Sequence, residues 1–469
     1  MYFNLTDKIA LINGVGNMKK SLRIKGICIF ATHFEPFNML LTSGENRTFR
    51  LHLLYMVIEG VVLGILALNE FVFIKSLGGS NYQMGLLFQF SMLVFVFLIL
   101  INEMLKRISN RKKLLRLTAL LTRLPLMLIL FFPRDIQLLV SNPVYHLIYL
   151  SLFLLYYSGN VIIYPNINYL LKNNYSHVHF GKLYSYATSV NKIMMLVVTF
   201  VYGYWLDIDQ TVFVSILPVI GVLAVLSVFV LSEISVPETA RVPHSKFLAS
   251  VGKSVREMVS ILKSNVPYRH FEWGFMLYGF SFMVTYTVIT IYFYESLNLN
   301  YSSVAFYRNA YNILAIILLP FFGKLLGTID PRKFAALTFS VLGLYIVAVA
   351  ATEVFQSRVV FWDITLYYTL IFYVLFHGVF AATMVLLWNI GSSYFCQPGE
   401  SGTYQSLHLS LTGLRAIIAP LAGVFFYELF GFTATFLLGA GFAFSAVALM
   451  VWSYRRDQSL SRKTANASS

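Results

Sequence analysis

Long apolar stretches alternate with short polar links along the whole chain, and the stretches vary little in length. Windows able to cross a hydrocarbon core of roughly 30 Å lie near residues 52–75, 83–103, 114–133, 144–166, 184–205 and 211–232. Six more lie near 272–294, 302–323, 333–352, 362–389, 404–427 and 431–453, each bounded by a charge cluster, a Pro/Gly turn or a short polar link. Repeated apolar runs of about 20 residues fit helices rather than the alternating strands of a membrane barrel. The pattern predicts an all-α membrane protein of twelve transmembrane helices with both chain ends on one side.

Composition agrees with this. The chain is 58% hydrophobic and only 12% charged, too few ionic side chains to cover a soluble surface and too many apolar ones for a disordered chain. Cys28 and Cys396 stand far apart without metal-ligand neighbours, so free thiols are expected rather than a disulfide framework or a metal site, and no cofactor is expected.

A net charge of +15 is typical of nucleic-acid binders, and its placement decides against that partner. With both ends inside, 28 of the 35 Lys and Arg fall on the inner side and three (Lys75, Arg134 and Arg358) in outer loops. The remaining four, Arg123, Lys192, Arg308 and Arg415, fall within predicted spans. The asymmetry orients both termini toward the cytoplasm. Residues 1–50 read as a cytosolic extension, because the apolar patch Ile27–Ala31 is too brief for a signal-peptide core; Met18 or Met39 is an alternative start.

The two sets of six spans align with each other at a shift of about 220 residues. Ser76-Leu77 and Asn81-Tyr82 recur as Ser296-Leu297 and Asn300-Tyr301. Arg111-Lys112 recur as Arg332-Lys333, Asn168 as Asn389, and Gly181 with Ser185 as Gly402 with Ser406. The matches stay in register and fall at equivalent places in the topology, so the expected architecture is two six-helix bundles related by a pseudo-two-fold axis. The bundles cover 51–233 and 272–453, joined by a cytosolic linker at 234–271 and followed by a tail at 454–469.

This layout resembles the major facilitator superfamily of secondary transporters, over about residues 51–453. The family's loop after span two has a signature Gly and Asp followed by a basic end; here Asn102 to Lys113 keeps the basic end and replaces the Gly and Asp. In the second half Gly323 keeps the leading Gly and Arg332-Lys333 the basic end, while Gly327 stands at the Asp position. The resemblance implies that Arg107, Arg111, Arg332 and Lys333 brace a gate, the alternative being that they only anchor the inner face. It also implies that spans one, four, seven and ten line a central cavity and that two, five, eight and eleven flank it.

A charge near the bilayer centre costs about 2.5–3.5 kcal/mol even on a lenient insertion scale, so each one needs a partner, water or a function. Counting from the span edges, Glu59 lies roughly 10 Å deep, Lys192 roughly 12 Å, Arg415 roughly 17 Å and Arg308 roughly 9 Å. All four fall on cavity-side spans, whereas Arg123 in span three reads as packed against a neighbour or buried in a structural pair. Three cavity cations against one acid predict an electropositive site for a carboxylate or phosphate. Arg308 and Arg415 would supply planar forks and Lys192 a point charge, with Asn312, Asn160, Tyr157 and Tyr164 beside them. Glu59 is expected to serve proton coupling or as a counter-ion, with His377 and His408 as further titratable candidates. The alternative is that Glu59 pairs with one cation and the other two bond to backbone carbonyls.

The expected function is secondary active transport of a small solute, an anion by the charge of the cavity, through alternating access coupled to a proton or counter-solute. The expected setting is a monomer in the lipid bilayer of the plasma membrane, the inner membrane in a bacterium. A non-transporting sensor or scaffold on the same fold is the alternative, and a membrane-embedded transferase ranks below it, since His-Glu-x-x-His and Gly-x-Ser-x-Gly are missing.

Overall fold

The computed structural model describes residues 41–105, 107–108, 110–234, 246–396 and 400–468. The leading segment through residue 40, with Cys28, Met18 and Met39, and the linker prolines Pro237 and Pro243 lie outside the described residues.

The first helix, α1 (Ser43–Leu66), starts nine residues before the apolar window because a capping box opens it: Glu45 N donates to Thr42 Oγ1 while Thr42 N donates to the Glu45 carboxylate. After a break at Ala67–Leu68 the chain continues as α2 (Asn69–Lys75). Then come α3 (Asn81–Leu93), α4 (Leu98–Leu105), α5 (Arg111–Thr122), α6 (Ile136–Ser141), α7 (Pro143–Ser158), α8 (Asn160–Asn174), α9 (His177–Ile208) and α10 (Phe213–Ser232). Short 3₁₀ stretches at Val94–Phe97 and Leu124–Phe131 continue α3 and α5. The described part of the linker is itself helical, α11 (Phe247–Ser264).

The second half contains α12 (Val266–Glu295), α13 (Tyr301–Leu326), α14 (Pro331–Val354), α15 (Tyr368–Ile390), α16 (Ser401–Ala416) and α17 (Ala419–Ser468). The predicted tenth span began at residue 362, but residues 358–367 instead form a β-hairpin, β1 (Arg358–Phe361) with β2 (Ile364–Tyr367). Its two-residue turn, Trp362-Asp363, has positive φ at both positions, as a twisted hairpin requires, and β-branched residues flank it. Apolar composition alone does not separate such a strand pair from the start of a helix.

Eleven helical stretches among the described residues are long and apolar enough to cross a membrane. The last of them, Thr403–Leu460, is 58 residues, about 87 Å of helix and far more than one crossing needs. Gly431 interrupts it at φ 79°, in the left-handed region that glycine occupies without steric cost. Counted as two crossings, it brings the total to twelve.

Helix α1 packs against α9 and α10, and the 3₁₀ segment after α5 packs on α10. In the second half α12 and α14 pack on α17, and α15 packs on α13 and α14. Between the halves, α9 meets α13, and α16 meets the 3₁₀ turn at 94–97.

Candidate functional site

The helices have two unlike ends. At the distal end, where α2 finishes and α13 begins, one continuous apolar core draws on both halves, including Phe71, Phe73 and Tyr202 from the first and Tyr292, Tyr301 and Val304 from the second. At the linker end, where α11 lies, the first half keeps a separate core of Tyr55, Leu115, Ile163, Leu171, Leu183 and Val228 that includes no second-half residue. The halves are therefore joined distally. They remain in touch at mid-depth, where Gln89 donates to the Ile417 carbonyl at 2.8 Å and Gly413 faces the Val96 backbone, an approach a side chain would block.

Polar contacts reinforce the distal seal. The Asp207 carboxylate, at the end of α9, accepts from the backbone N–H groups of Tyr301 (2.7 Å) and Ser302 (2.8 Å), the first two residues of α13. Those N–H groups have no partner within their own helix, and an anion there also meets the positive end of the helix dipole. Lys75 donates to the Leu299 carbonyl at 3.2 Å, Ser76 bonds the Tyr301 hydroxyl, and Asn309 donates to the Leu196 carbonyl at 3.0 Å.

Below this seal lie the intramembrane charges. Arg308 bonds Glu70 across the halves at 3.2 Å, donates to the Ala67 carbonyl where α1 breaks into α2, and lies over the Tyr286 ring. Asn312 turns back to donate to the Arg308 carbonyl at 2.7 Å. Glu59 pairs with Arg123 at 3.1 Å, and both are buried. Ser227 donates to the same carboxylate at 2.8 Å, and the Arg123 fork also reaches the Ala224 carbonyl and Asn160 Oδ1. Glu59 is thus the counter-ion of Arg123 in a cluster that ties α1, α5, α8 and α10 together. Asn160 belongs to that cluster.

In the second half His408 Nδ1 lies 3.1 and 3.2 Å from the two oxygens of buried Glu272. Two turns further along α16, Arg415 donates to the Phe275 carbonyl and stacks over Tyr278 with its guanidinium against Gly279, in space that a Cβ there would fill. Its Nε, like His408 Nε2, is buried without a partner among the described residues. Lys192 is half-buried on α9 and makes no ion pair in the described structure. His377 is sandwiched between Tyr311 (3.7 Å) and Tyr345 (4.5 Å). Tyr157 packs on Tyr156 and Phe153, whereas Tyr164 is 39% exposed beside Phe95.

The four expected gate cations lie at the linker end. Arg107 donates to Ser250 of α11 at 3.1 Å, and Arg111 donates to Asn166 at 3.1 Å while stacking on Tyr169. Arg332 bridges Asp330 (3.0 Å) and Asp457 (2.5 Å), and Lys333 lies over the Tyr454 ring. Lys112 pairs with Glu233 at 2.8 Å and Arg116 with the same carboxylate, which these bonds and charges, the Lys112 hydrogen bond foremost, hold below the usual carboxylate range.

The tally of three cavity cations against one acid is corrected by these contacts. Glu70 and Glu272 join Glu59 as intramembrane acids, and Lys192 and Arg415 make no ion pair among the described residues. Both acids lay nearer the ends of apolar windows and were not counted. Asp207 had no signal beyond its place just past a span. Among the described residues no cluster of His, Cys, Asp and Glu could hold a metal ion.

The family profile of the Major Facilitator Superfamily matches residues 51–375. The fold is similar to a solved nucleoside transporter, NupG, in a single-residue mutant form, with TM-score 0.63, 12% identity and coverage of 88% of this chain and 100% of that one. It is also similar to an auto-inhibited peptide transporter of the POT family (TM-score 0.64, 13% identity, 87% and 97% covered). A third likeness is to the xylose transporter XylE from E. coli in a partially occluded, inward-open conformation (TM-score 0.61, 12% identity, 87% and 97% covered). No curated protein sequence matches significantly.

Proposed function

Because the chain belongs to the major facilitator superfamily and is a multi-pass, non-enzymatic secondary transporter, we propose that it moves a small anionic solute by rocking two six-helix bundles about a site between them. The observation that carries this reading is the asymmetry of the two ends: a core shared by both halves distally, separate cores at the linker end. That is the form expected of an alternating-access carrier closed on one side. With the linker end in the cytoplasm of a plasma membrane, this is the inward-facing state of a monomer. The duplicated ion pairs favour two equivalent bundles: Lys112 with Glu233 and Arg332 with Asp457 each tie the start of a third helix to the end of a sixth.

The anionic preference now rests on Lys192 and Arg415, the intramembrane cations without an acidic partner among the described residues. Arg308 closes the distal roof through Glu70. The Glu272–His408 pair is the coupling site in this reading: a proton taken up there changes the charge two turns along the same helix from Arg415. His377, held between two tyrosine rings, and Glu59, committed to Arg123, are less suited to that task.

Proteoliposomes preloaded with carboxylates or phosphorylated metabolites test the proposal by counterflow of the labelled solute. Exchange of an anion that is lost in both Lys192→Ala and Arg415→Ala, at normal protein levels, is expected. Exchange of neutral solutes alone would remove the anionic preference while leaving the carrier. In Glu272→Gln, counterflow should persist while accumulation driven by a proton gradient disappears; unchanged accumulation would exclude this pair as the coupling site.

A further inference from the structure

The hairpin between α14 and α15 carries an exposed apolar surface that the transport reading does not use. Val359 is 44% exposed, Val360 60%, Phe361 61% and Trp362 85%, and the last two rings stack at 5.2 Å. The other strand is tied down. Thr365 N donates to Ser303 Oγ (2.9 Å), Tyr307 OH to the Thr365 carbonyl (3.0 Å), Tyr367 N to Tyr307 OH (2.8 Å) and Asn300 Nδ2 to the Asp363 carbonyl (2.7 Å). The hairpin is therefore docked on the first two turns of α13 by β2, leaving β1 and the tip outward.

What covers that outward face follows from its neighbours. Helix α15 leaves the hairpin with Tyr368, Ile371, Phe372 and Leu375 exposed, spaced at i, i+3, i+4 and i+7, a single apolar stripe on a helix long enough to span. On the other side α14 ends in Val354, 74% exposed, and runs into Phe355, 63% exposed. At the distal end, where the two halves are sealed together, an uncovered apolar face on a membrane-spanning helix meets acyl chains, and the hairpin extends that surface beyond both helices. The distal end of α9 shows the same composition, with Tyr204 and Trp205 exposed, as expected where aromatic rings sit at the membrane–water boundary.

We propose that the hairpin is a lipid-binding element, with Phe361 and Trp362 seated in the headgroup and upper acyl region of the distal leaflet. Because β2 holds the turn of α13 that Asp207 caps, the bilayer surface then sets the height of the helix that closes the distal seal. The partner is a phospholipid surface in general; nothing in the hairpin selects a headgroup beyond Arg358, which donates to Tyr367 OH at 2.9 Å.

The test uses the full chain in phosphatidylcholine nanodiscs and the emission difference between wild type and Trp362→Phe, which isolates this ring from the other four tryptophans. Lipids brominated high on the acyl chain should remove most of the difference emission, lipids brominated near the chain end less, and aqueous iodide little. Strong iodide quenching with no effect of bromolipid would place the tip in water and overturn the proposal. Quenching by neither would place it against protein, a second copy included, and would overturn it equally. A spin label at Val360→Cys gives an independent reading: faster collision with oxygen than with a water-soluble nickel chelate is expected, and the reverse order refutes lipid contact.

Discussion

Replacing Asp207 with alanine removes both oxygens that cap α13 from the opposite half of the chain. In buried settings a hydrogen bond to a charged group contributes about 1.5–3 kcal/mol, and a charge at a helix N-terminus about 0.3–1 kcal/mol. Asp207 is exposed, so solvent competes for it and screens it, and the sum falls to about 1–2 kcal/mol. Only the distally closed state contains these bonds; once the halves separate, water solvates the carboxylate and the N–H groups alike. The loss therefore shifts the closed-to-open ratio by roughly 5- to 30-fold. A cysteine at Ala305, buried in the seal opposite Gly203, reports the open fraction through its rate of modification by an impermeant maleimide added from the distal side. With Cys28 and Cys396 replaced by serine, Asp207→Ala should raise that rate by the same factor, and Asp207→Asn, which keeps one acceptor, by less. Asp209→Ala is the control, since the Asp209 carboxylate accepts from Thr211 within its own turn. An unchanged rate in Asp207→Ala, or an equal increase in the control, would refute the reasoning.

Other substitutions probe the remaining contacts. Glu59→Ala strands a buried guanidinium and should cost about 3–5 kcal/mol in thermal or denaturant unfolding, while the apolar pair Glu59→Leu with Arg123→Met should recover most of it; equal losses would deny the pair its structural role. Gly279→Ala places a methyl group where the Arg415 guanidinium lies and should cost about 1–3 kcal/mol, relieved by adding Arg415→Ala; no relief would mean that the two do not compete for this space. Because its contacts depress the Glu233 carboxyl, that carboxylate stabilises the fold above the unfolded-state value of about 4.3, and the effect is lost as pH falls through the lower folded value. The melting-temperature gap between wild type and Glu233→Gln should be steady at neutral pH and close on acidification below that range; a gap independent of pH down to denaturation would contradict it.

The resemblance that pointed to a transporter rested on features any single span or loop displays: apolar length, basic links, and a register repeated after about 220 residues. It carried over to the folded chain because bilayer thickness acts on each helix separately. The site was less legible. Lys192, Arg308 and Arg415 stood out as charges in apolar runs, yet Glu70 and Glu272, which answer Arg308 and His408, lay nearer the run ends and were not counted. The tenth span was mistaken at its start because Ile364, Leu366 and Tyr367 of β2 are as apolar as the helix that follows, and their pairing with β1 leaves no mark in composition.

Taken alone, the amino-acid order determined that the chain is helical and crosses a membrane many times, since apolar length is a sum over neighbouring residues. Which charge answers which was decided only by tertiary structure. Glu59 and Arg123 stand 64 positions apart, Glu272 and His408 136, and Glu70 and Arg308 238. Such pairs form through the rotation of whole helices against each other, and that rotation is set by packing surfaces such as Gly60 against the Asn191 carbonyl and Gly279 against Arg415. Hydropathy is local and additive, whereas the choice of partner is neither, which is why the membrane was legible in the chain and the seal was not.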